Sequence, residues 1–183
     1  MEIKAKMNTK KIKENIEAET REYYEKELER VNSWLTFAEA KNAALIAANI
    51  GLFGFVVEFC DKHPITSFIT LVILTISTIL CLFSFTPILD NKRSDKNLFV
   101  NDNPNLIFFK DIAKIDNVDE YVKMVGKKYF DNNTIVSSMD KDLAYEIITN
   151  SKIALRKYNF FYWALKSEII ALLFLIIILF LCA

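Results

Sequence analysis

Residues 167–183 read SEIIALLFLIIILFLCA, and the part from Ile169 to Ala183 contains no charge and no turn residue. A core helix could be apolar on every side only inside a complete protein shell, because it would leave no face for water. An α-helix rises about 1.5 Å per residue, so a start near Phe161 gives about 34 Å, enough to cross the roughly 30 Å hydrocarbon layer. The stretch therefore predicts a transmembrane helix.

Two earlier stretches share this apolar character. They are NAALIAANIGLFGFVVEF at residues 42–59 and SFITLVILTISTILCLFSF at residues 67–85, the second bracketed by Pro64 and Pro87. With 52% apolar residues and only three Gly and three Pro, the chain favours helices. The predicted fold is an all-α membrane protein with three transmembrane helices, a long helical stem and a small helical cytoplasmic subdomain.

The distribution of basic residues predicts the orientation. Lys and Arg number nine in residues 1–41 and twelve in residues 90–160, whereas the link 60–66 contains only Lys62. By the positive-inside rule both charged segments and the N-terminus are cytoplasmic, and the C-terminus is outside. The predicted segments are a stem helix at 1–41, transmembrane helix 1 at 42–59, an external link at 60–66, transmembrane helix 2 at 67–87, a cytoplasmic subdomain at 88–160 and transmembrane helix 3 at 161–183.

A stripe of inward-facing positions runs from the stem into the first span in steps of four and three. Such a heptad pattern predicts one helix from about Lys10 to Phe59 with a single packing seam. The stripe consists of Tyr24, Leu28, Val31, Leu35, Ala38, Asn42, Leu45, Asn49, Leu52 and Val56.

A second long helix is predicted to enter the third span without a break. Asp140 is expected to cap its start. Short helices are expected at residues 106–115 and 115–130, after turn signals at 90–97 and 101–105. One side of the long helix is formed by Leu143, Ile147, Ala154, Tyr158, Phe161 and Leu165.

Small and polar residues in the first two spans predict contacts between helices. Small residues at four-residue spacing let two backbones approach closely, which favours a homo-oligomer. The small residues are Ala40, Ala44 and Ala48 in one row and Ala43, Ala47 and Gly51 in the next. The polar face of the second span consists of Thr66, Thr70, Ser77, Cys81 and Ser84. Its hydroxyl groups either form hydrogen bonds between helices or, in an oligomer, line a water-filled path.

Charged residues near the ends of the spans suggest one further contact. Lys41 in the first span and Glu168 in the third are both expected near the inner interface, where they could form an ion pair.

The sequence contains no set of residues that we would assign to catalysis or to a metal. His63 is the only histidine, and no Gly-rich phosphate loop is present. We therefore expect no enzyme activity, no metal site and no cofactor. The balance of 23 basic and 23 acidic residues argues against binding to DNA or RNA, which requires a cationic surplus.

Three stretches resemble the membrane effectors of the bacterial Pycsar anti-phage systems. They are FAEAKNAALIAANIGLFGF at 37–55, NPNLIFFKDIAKIDNVDEYVKMV at 103–125 and DLAYEIITNSKIALRKYNFFYWAL at 142–165. Two-span effectors of other nucleotide second-messenger defence systems have a similar outline. The resemblance implies a bacterial inner-membrane protein that senses a cyclic nucleotide made by a partner cyclase, either cyclic CMP or cyclic UMP. It then impairs the membrane, so that the infected cell stops growing or dies.

The implied ligand has one phosphate charge and one aromatic base, so its site needs one or two cations and a stacking face. Three groups could supply them: Phe108, Phe109 and Lys110; Lys127, Lys128 and Tyr129; or Arg156 and Lys157. The alternative is that these aromatics belong to the subdomain core and the cations lie at lipid headgroups.

A second hypothesis assigns a different class of function. The chain could be a membrane anchor or scaffold whose stem recruits a cytoplasmic partner. Membrane potential in the presence of cyclic pyrimidine nucleotides separates this hypothesis from the effector.

Overall fold

The computed structural model describes residues 2–87 and 103–182, with side chains for residues 10–87 and 103–181. No strand occurs in these ranges, which confirms the all-α prediction. The turn signal at 90–97 lies outside the described residues. The helices are α1 (Glu2–Val57), α2 (Pro64–Ser84), α3 (Phe109–Ile112), α4 (Val118–Tyr129) and α5 (Ser138–Cys182).

Helix α1 is one continuous element, as the heptad pattern predicts. Every position of the predicted stripe is buried or half-buried, including Tyr24, Val31 and Val56, each with no exposed surface. On the solvated side, Lys26 pairs with Glu22, a spacing that supports an exposed helix.

Three helices are long and apolar enough to cross a membrane, namely α1, α2 and α5. This confirms the three predicted spans. Helix α2 begins at Pro64 because a proline fits the first helical position, where its missing N–H is not needed. It ends at Ser84, so it starts and stops three residues before the predicted segment 67–87.

The chain divides into two compact units. Unit 1 contains Met1–Leu35 and Asp90–Leu155, and unit 2 contains Thr36–Leu89 and Arg156–Ala183. The core of unit 1 is formed by Tyr24, Val31, Leu106, Ile112, Ile115, Tyr121, Val125, Ala144, Ile147 and Ile148. Unit 2 has two apolar clusters: Val56, Leu74, Ala171 and Leu175, and Leu45, Cys81 and Ala164.

Local signals start the two helices that follow α3. Asn117 caps α4 by accepting a hydrogen bond from the Asp119 N–H at 2.8 Å. The N-cap of α5 is Ser137, and Asp140 caps the start of the helix from its third position, so the expectation that Asp140 caps α5 is confirmed. Asp140 reaches back to the Ser137 N–H at 2.7 Å, while its own N–H donates to Ser137 Oγ at 3.3 Å. This reciprocal pair is a capping box.

The inward side of α5 differs from the predicted stripe in its membrane-spanning part. Leu165 is 36% exposed, whereas the neighbouring Ala164 is fully buried. Ser77 Oγ on α2 donates to the Ala164 carbonyl at 2.9 Å, an approach that a small side chain allows. Ala164, and not Leu165, therefore faces inward at this level of α5.

Candidate functional site

A cluster of tyrosines lies at one edge of the unit 1 core. The ring of Tyr23 lies 5.4 Å from that of Tyr24 and 5.5 Å from that of Tyr129, and the rings of Tyr24 and Tyr121 are 6.4 Å apart. Burial raises the pKa of Tyr23, Tyr24 and Tyr121 above the phenol's ordinary value. These hydroxyl groups therefore remain protonated near neutral pH. Tyr129 is 37% exposed and offers the accessible aromatic edge.

Glu27 is buried beside these rings, with only 1% of its surface exposed. Burial raises its pKa to about 7, although the Arg30 guanidinium opposes this shift. Arg30 donates to Glu27 Oε2, whereas Glu27 Oε1 has no hydrogen-bond partner among the described residues. One carboxyl oxygen is therefore buried without a hydrogen bond among the described residues.

Two cations flank the exposed ring of Tyr129. Lys128 lies 5.9 Å from the ring centroid and donates to Asn103 Oδ1 at 2.9 Å and to the Pro104 carbonyl at 2.6 Å. Both of these acceptors are neutral, so they do not cancel the lysine charge. Arg30 interacts electrostatically with Tyr129 and keeps 44% of its side chain exposed.

We refer to Tyr23, Glu27, Arg30, Lys128 and Tyr129 as the Tyr129 site. An exposed phenol ring can stack on a planar base, and the Lys128 ammonium, whose acceptors are neutral, can pair with a phosphate. Arg30 adds a second cation, which is already paired with Glu27. The Glu27 carboxyl lies buried beneath this surface and pairs with Arg30. The site thus offers an accessible aromatic ring and a cation, the two interactions that a small aromatic anion requires.

The predicted group at Phe108 has a different environment. Phe109 is only 6% exposed, and its ring lies 5.5 Å from that of Trp34 on α1 and 5.0 Å from that of Phe108. Lys110 is exposed at the surface of α3. The burial of Phe109 indicates a core role for this ring, whereas Phe108 and Lys110 remain accessible.

Arg156 and Lys157 belong to unit 2. Arg156 donates to Thr86 Oγ1 at 2.8 Å and stacks over Phe160 at 5.3 Å. Lys157 is 8% exposed and pairs with Glu39 at 2.9 Å. Both cations hold neighbouring segments of unit 2 together. Of the three predicted groups, Lys127, Lys128 and Tyr129 form the one that flanks the buried carboxyl, with Lys127 exposed beside them.

A family model described as the Pycsar effector protein domain matches residues 23–183. The chain belongs to this family. It is therefore an effector of Pycsar anti-phage defence, a non-catalytic kind of effector, and with its three long apolar helices it is a multi-pass membrane protein. No curated protein and no solved structure matches the chain.

The matched region of the effector begins at Tyr23, so it includes the whole Tyr129 site. Sequence reasoning missed Glu27, Arg30 and Tyr23 as parts of this site. A signal for Glu27 exists, because it follows Tyr24 by three residues and precedes Val31 by four, which places an acid on the apolar face of α1.

The small residues of the effector's first span face away from the interior of unit 2. All six predicted positions are exposed, and a Cβ atom added at Gly51 would meet nothing within 4 Å. The two rows thus form one open face on α1. We refer to this surface as the small-residue face; it consists of Ala40, Ala43, Ala44, Ala47, Ala48 and Gly51.

The polar face of α2 lies inside unit 2. Thr70, Ser77, Cys81 and Ser84 are buried, and Thr66 is half-buried. Asn49 Nδ2 on α1 donates to Ser77 Oγ at 3.0 Å. In this arrangement the side chains of the polar face form hydrogen bonds and pack between the helices of one chain. This is the first of the two roles predicted for them.

The expected ion pair between Lys41 and Glu168 does not form among the described residues. The Lys41 ammonium lies over the rings of Phe37, Tyr158 and Phe161, at 4.5, 5.5 and 5.4 Å. Cation–π contacts therefore replace the ion pair. Glu168 is only 7% exposed, inside unit 2.

Proposed function

We propose that the effector is activated by a cyclic mononucleotide, cyclic CMP or cyclic UMP, made by a partner cyclase. The activated effector impairs the integrity of the bacterial inner membrane, and the infected cell stops growing or dies. The observation that carries the proposal is the Tyr129 site, where an exposed ring, two cations and a buried carboxyl lie together. The family membership and the three apolar helices support a site of action in the membrane.

The orientation follows from the basic residues. With the Lys-rich and Arg-rich segments on the inner side, unit 1 lies in the cytoplasm, where a nucleotide produced during infection is present. The C-terminus is then outside. A ligand can shift the conformation only by its different affinity for the two states, so the proposal requires tighter binding to the active state.

We expect Tyr129→Ala to weaken nucleotide binding by about 5- to 150-fold, because stacking on one aromatic ring contributes about 1–3 kcal/mol. Calorimetric titration of the full chain in detergent, with cyclic CMP and cyclic UMP in turn, measures this change. The matched control is Tyr145→Ala, which removes a tyrosine that is 47% exposed elsewhere in unit 1.

Equal affinities for the wild type and Tyr129→Ala would place the nucleotide elsewhere. In cells, a membrane-potential dye reports the downstream step. A potential that stays unchanged with every cyclic nucleotide would contradict the effector mechanism and favour the membrane scaffold.

The proposed active form is a homo-oligomer that assembles through the small-residue face. Gly51→Leu should weaken association by about tenfold or more, because the added side chain separates the helices that the small residues bring together. A Cβ atom at Gly51 would meet nothing within 4 Å and the position is exposed, so a loss of association would reflect contacts between copies. Cross-linking in membranes measures the effect, and Ile50→Leu at an exposed neighbour is the control. Normal oligomers of Gly51→Leu would exclude this face as the interface.

A further inference from the structure

Polar groups from all three helices of unit 2 meet in its interior: the side chains of Asn49 and Ser77 and the main-chain carbonyl of Ala164. Asn49 on α1 donates to Ser77 on α2 at 3.0 Å, and Ser77 donates to the Ala164 carbonyl on α5 at 2.9 Å. Asn49 and Ser77 have no exposed surface, and Asn49 Oδ1 has no partner among the described residues. A hydrogen-bonded connection thus crosses the interior and retains an unused acceptor.

Glu168 lies four residues after Ala164, on the same side of α5. Its side chain is only 7% exposed, so it faces the interior of unit 2. No cation within 4 Å pairs with it in the described part of unit 2, whereas the other buried charge, Lys157, is neutralised by Glu39 at 2.9 Å. Ionisable residues inside membrane spans are costly and commonly mark ion or proton pathways.

An apolar layer lies next to these polar groups, toward the link between α1 and α2. Leu74 precedes Ser77 by three residues, and Ala171 follows Glu168 by three. Both belong to the cluster completed by Val56 and Leu175, whose members are at most 7% exposed. A constriction of this kind blocks ions by excluding water.

We propose that the interior of unit 2 is a path for monovalent cations, in which Asn49, Ser77 and Glu168 form the cation-binding site. The cluster of Val56, Leu74, Ala171 and Leu175 is the hydrophobic barrier. Separation of the three helices admits water to the barrier, and the carboxyl then favours cations over anions. This inference rests on the proposed function, because a path for ions explains how the membrane is impaired.

The first test opens the barrier without a nucleotide. Leu74→Ser places a hydroxyl group in the apolar layer, and the full chain in liposomes should then pass potassium at least about tenfold faster than the wild type. Ile76→Ser is the matched control, because Ile76 is 48% exposed on the outer side of the same helix. Equal potassium fluxes for Leu74→Ser and Ile76→Ser would contradict the assignment of this cluster as the barrier. If Leu74→Ser fails to insert, Leu175→Ser tests the same layer.

The second test identifies the cation site. With Leu74→Ser, the reversal potential in a potassium chloride gradient should show potassium favoured over chloride by about tenfold or more. Adding Glu168→Gln should reduce this preference to about threefold or less while flux persists. An unchanged preference would exclude Glu168 from the path.

Failure of the two proposals gives different results. A wild type that depolarises with nucleotide, combined with an inert Leu74→Ser, would overturn the path and keep the proposed function. A wild type that never depolarises, combined with cation-selective Leu74→Ser, would keep the path and overturn nucleotide gating.

Discussion

Asp140→Ala is expected to lower the free energy of unfolding by about 3–5 kcal/mol, the cost of breaking a buried, charged hydrogen-bond network. Asp140 has no exposed surface. It accepts from Arg21 Nε at 3.3 Å and from the N–H and Oγ of Ser137, each at 2.7 Å. The variant therefore removes the α5 capping box and the link between α1 and α5 in unit 1.

Thermal unfolding of the full chain in detergent measures this loss, and Tm should fall by roughly 6–20 °C at about 2–4 °C per kcal/mol. Asp142→Ala, at an exposed position two residues later, is the control and should change Tm little. Asp140→Asn keeps the shape of the side chain, so its Tm should lie between those of Asp140→Ala and Asp142→Ala. A Tm for Asp140→Ala equal to that of Asp142→Ala would mean that the network contributes nothing measurable.

Glu27 should make the stability of unit 1 depend on pH. Its pKa is raised from 4.5 to about 7, so the folded chain retains a proton that the unfolded chain releases at lower pH. The contribution is most favourable below pH 4.5, falls as the pH rises, and is lost above pH 7. The free energy of unfolding should change by about 3 kcal/mol, because each unit of pKa difference corresponds to about 1.4 kcal/mol.

Comparison with Glu27→Gln isolates this carboxyl. The stability of Glu27→Gln relative to the wild type should increase by about 3 kcal/mol between pH 4.5 and pH 7.5, because the amide does not ionise. Chemical unfolding followed by tryptophan fluorescence at several pH values measures the difference, with Glu120→Gln at an exposed position as the control. A constant difference between Glu27→Gln and the wild type would show that burial does not penalise this charge.

Both predictions concern groups that unit 1 buries for different reasons. Asp140 is fully bonded, so its removal costs stability. Glu27 has one buried oxygen without a hydrogen bond among the described residues, so its burial as a charged group costs stability.

Much of the candidate site was recognisable in the sequence as separate pieces. Lys128 and Tyr129 were predicted as one of three cation and aromatic groups, and nothing in the sequence ranked these groups. The structure distinguishes them by their neighbours, because Phe109 packs on Trp34 and Lys157 pairs with Glu39, whereas Tyr129 lies beside Glu27.

The sequence alone determined the helical fold, the three spans and the inward stripe of α1. These features depend on hydropathy and on a period of 3.6 residues, which are properties of neighbouring positions along one helix. The resemblance on residues 37–55, 103–125 and 142–165 likewise pointed to the family that matches residues 23–183.

Only the tertiary structure decided which side chains meet. Arg21 contacts Asp140 across 119 residues, and Ser77 contacts Ala164 across 87. The burial of Glu168 depends in the same way on which face of α5 turns toward α2. Such contacts are set by helices that pack against each other from distant parts of the chain, and local periodicity gives no information about these partners.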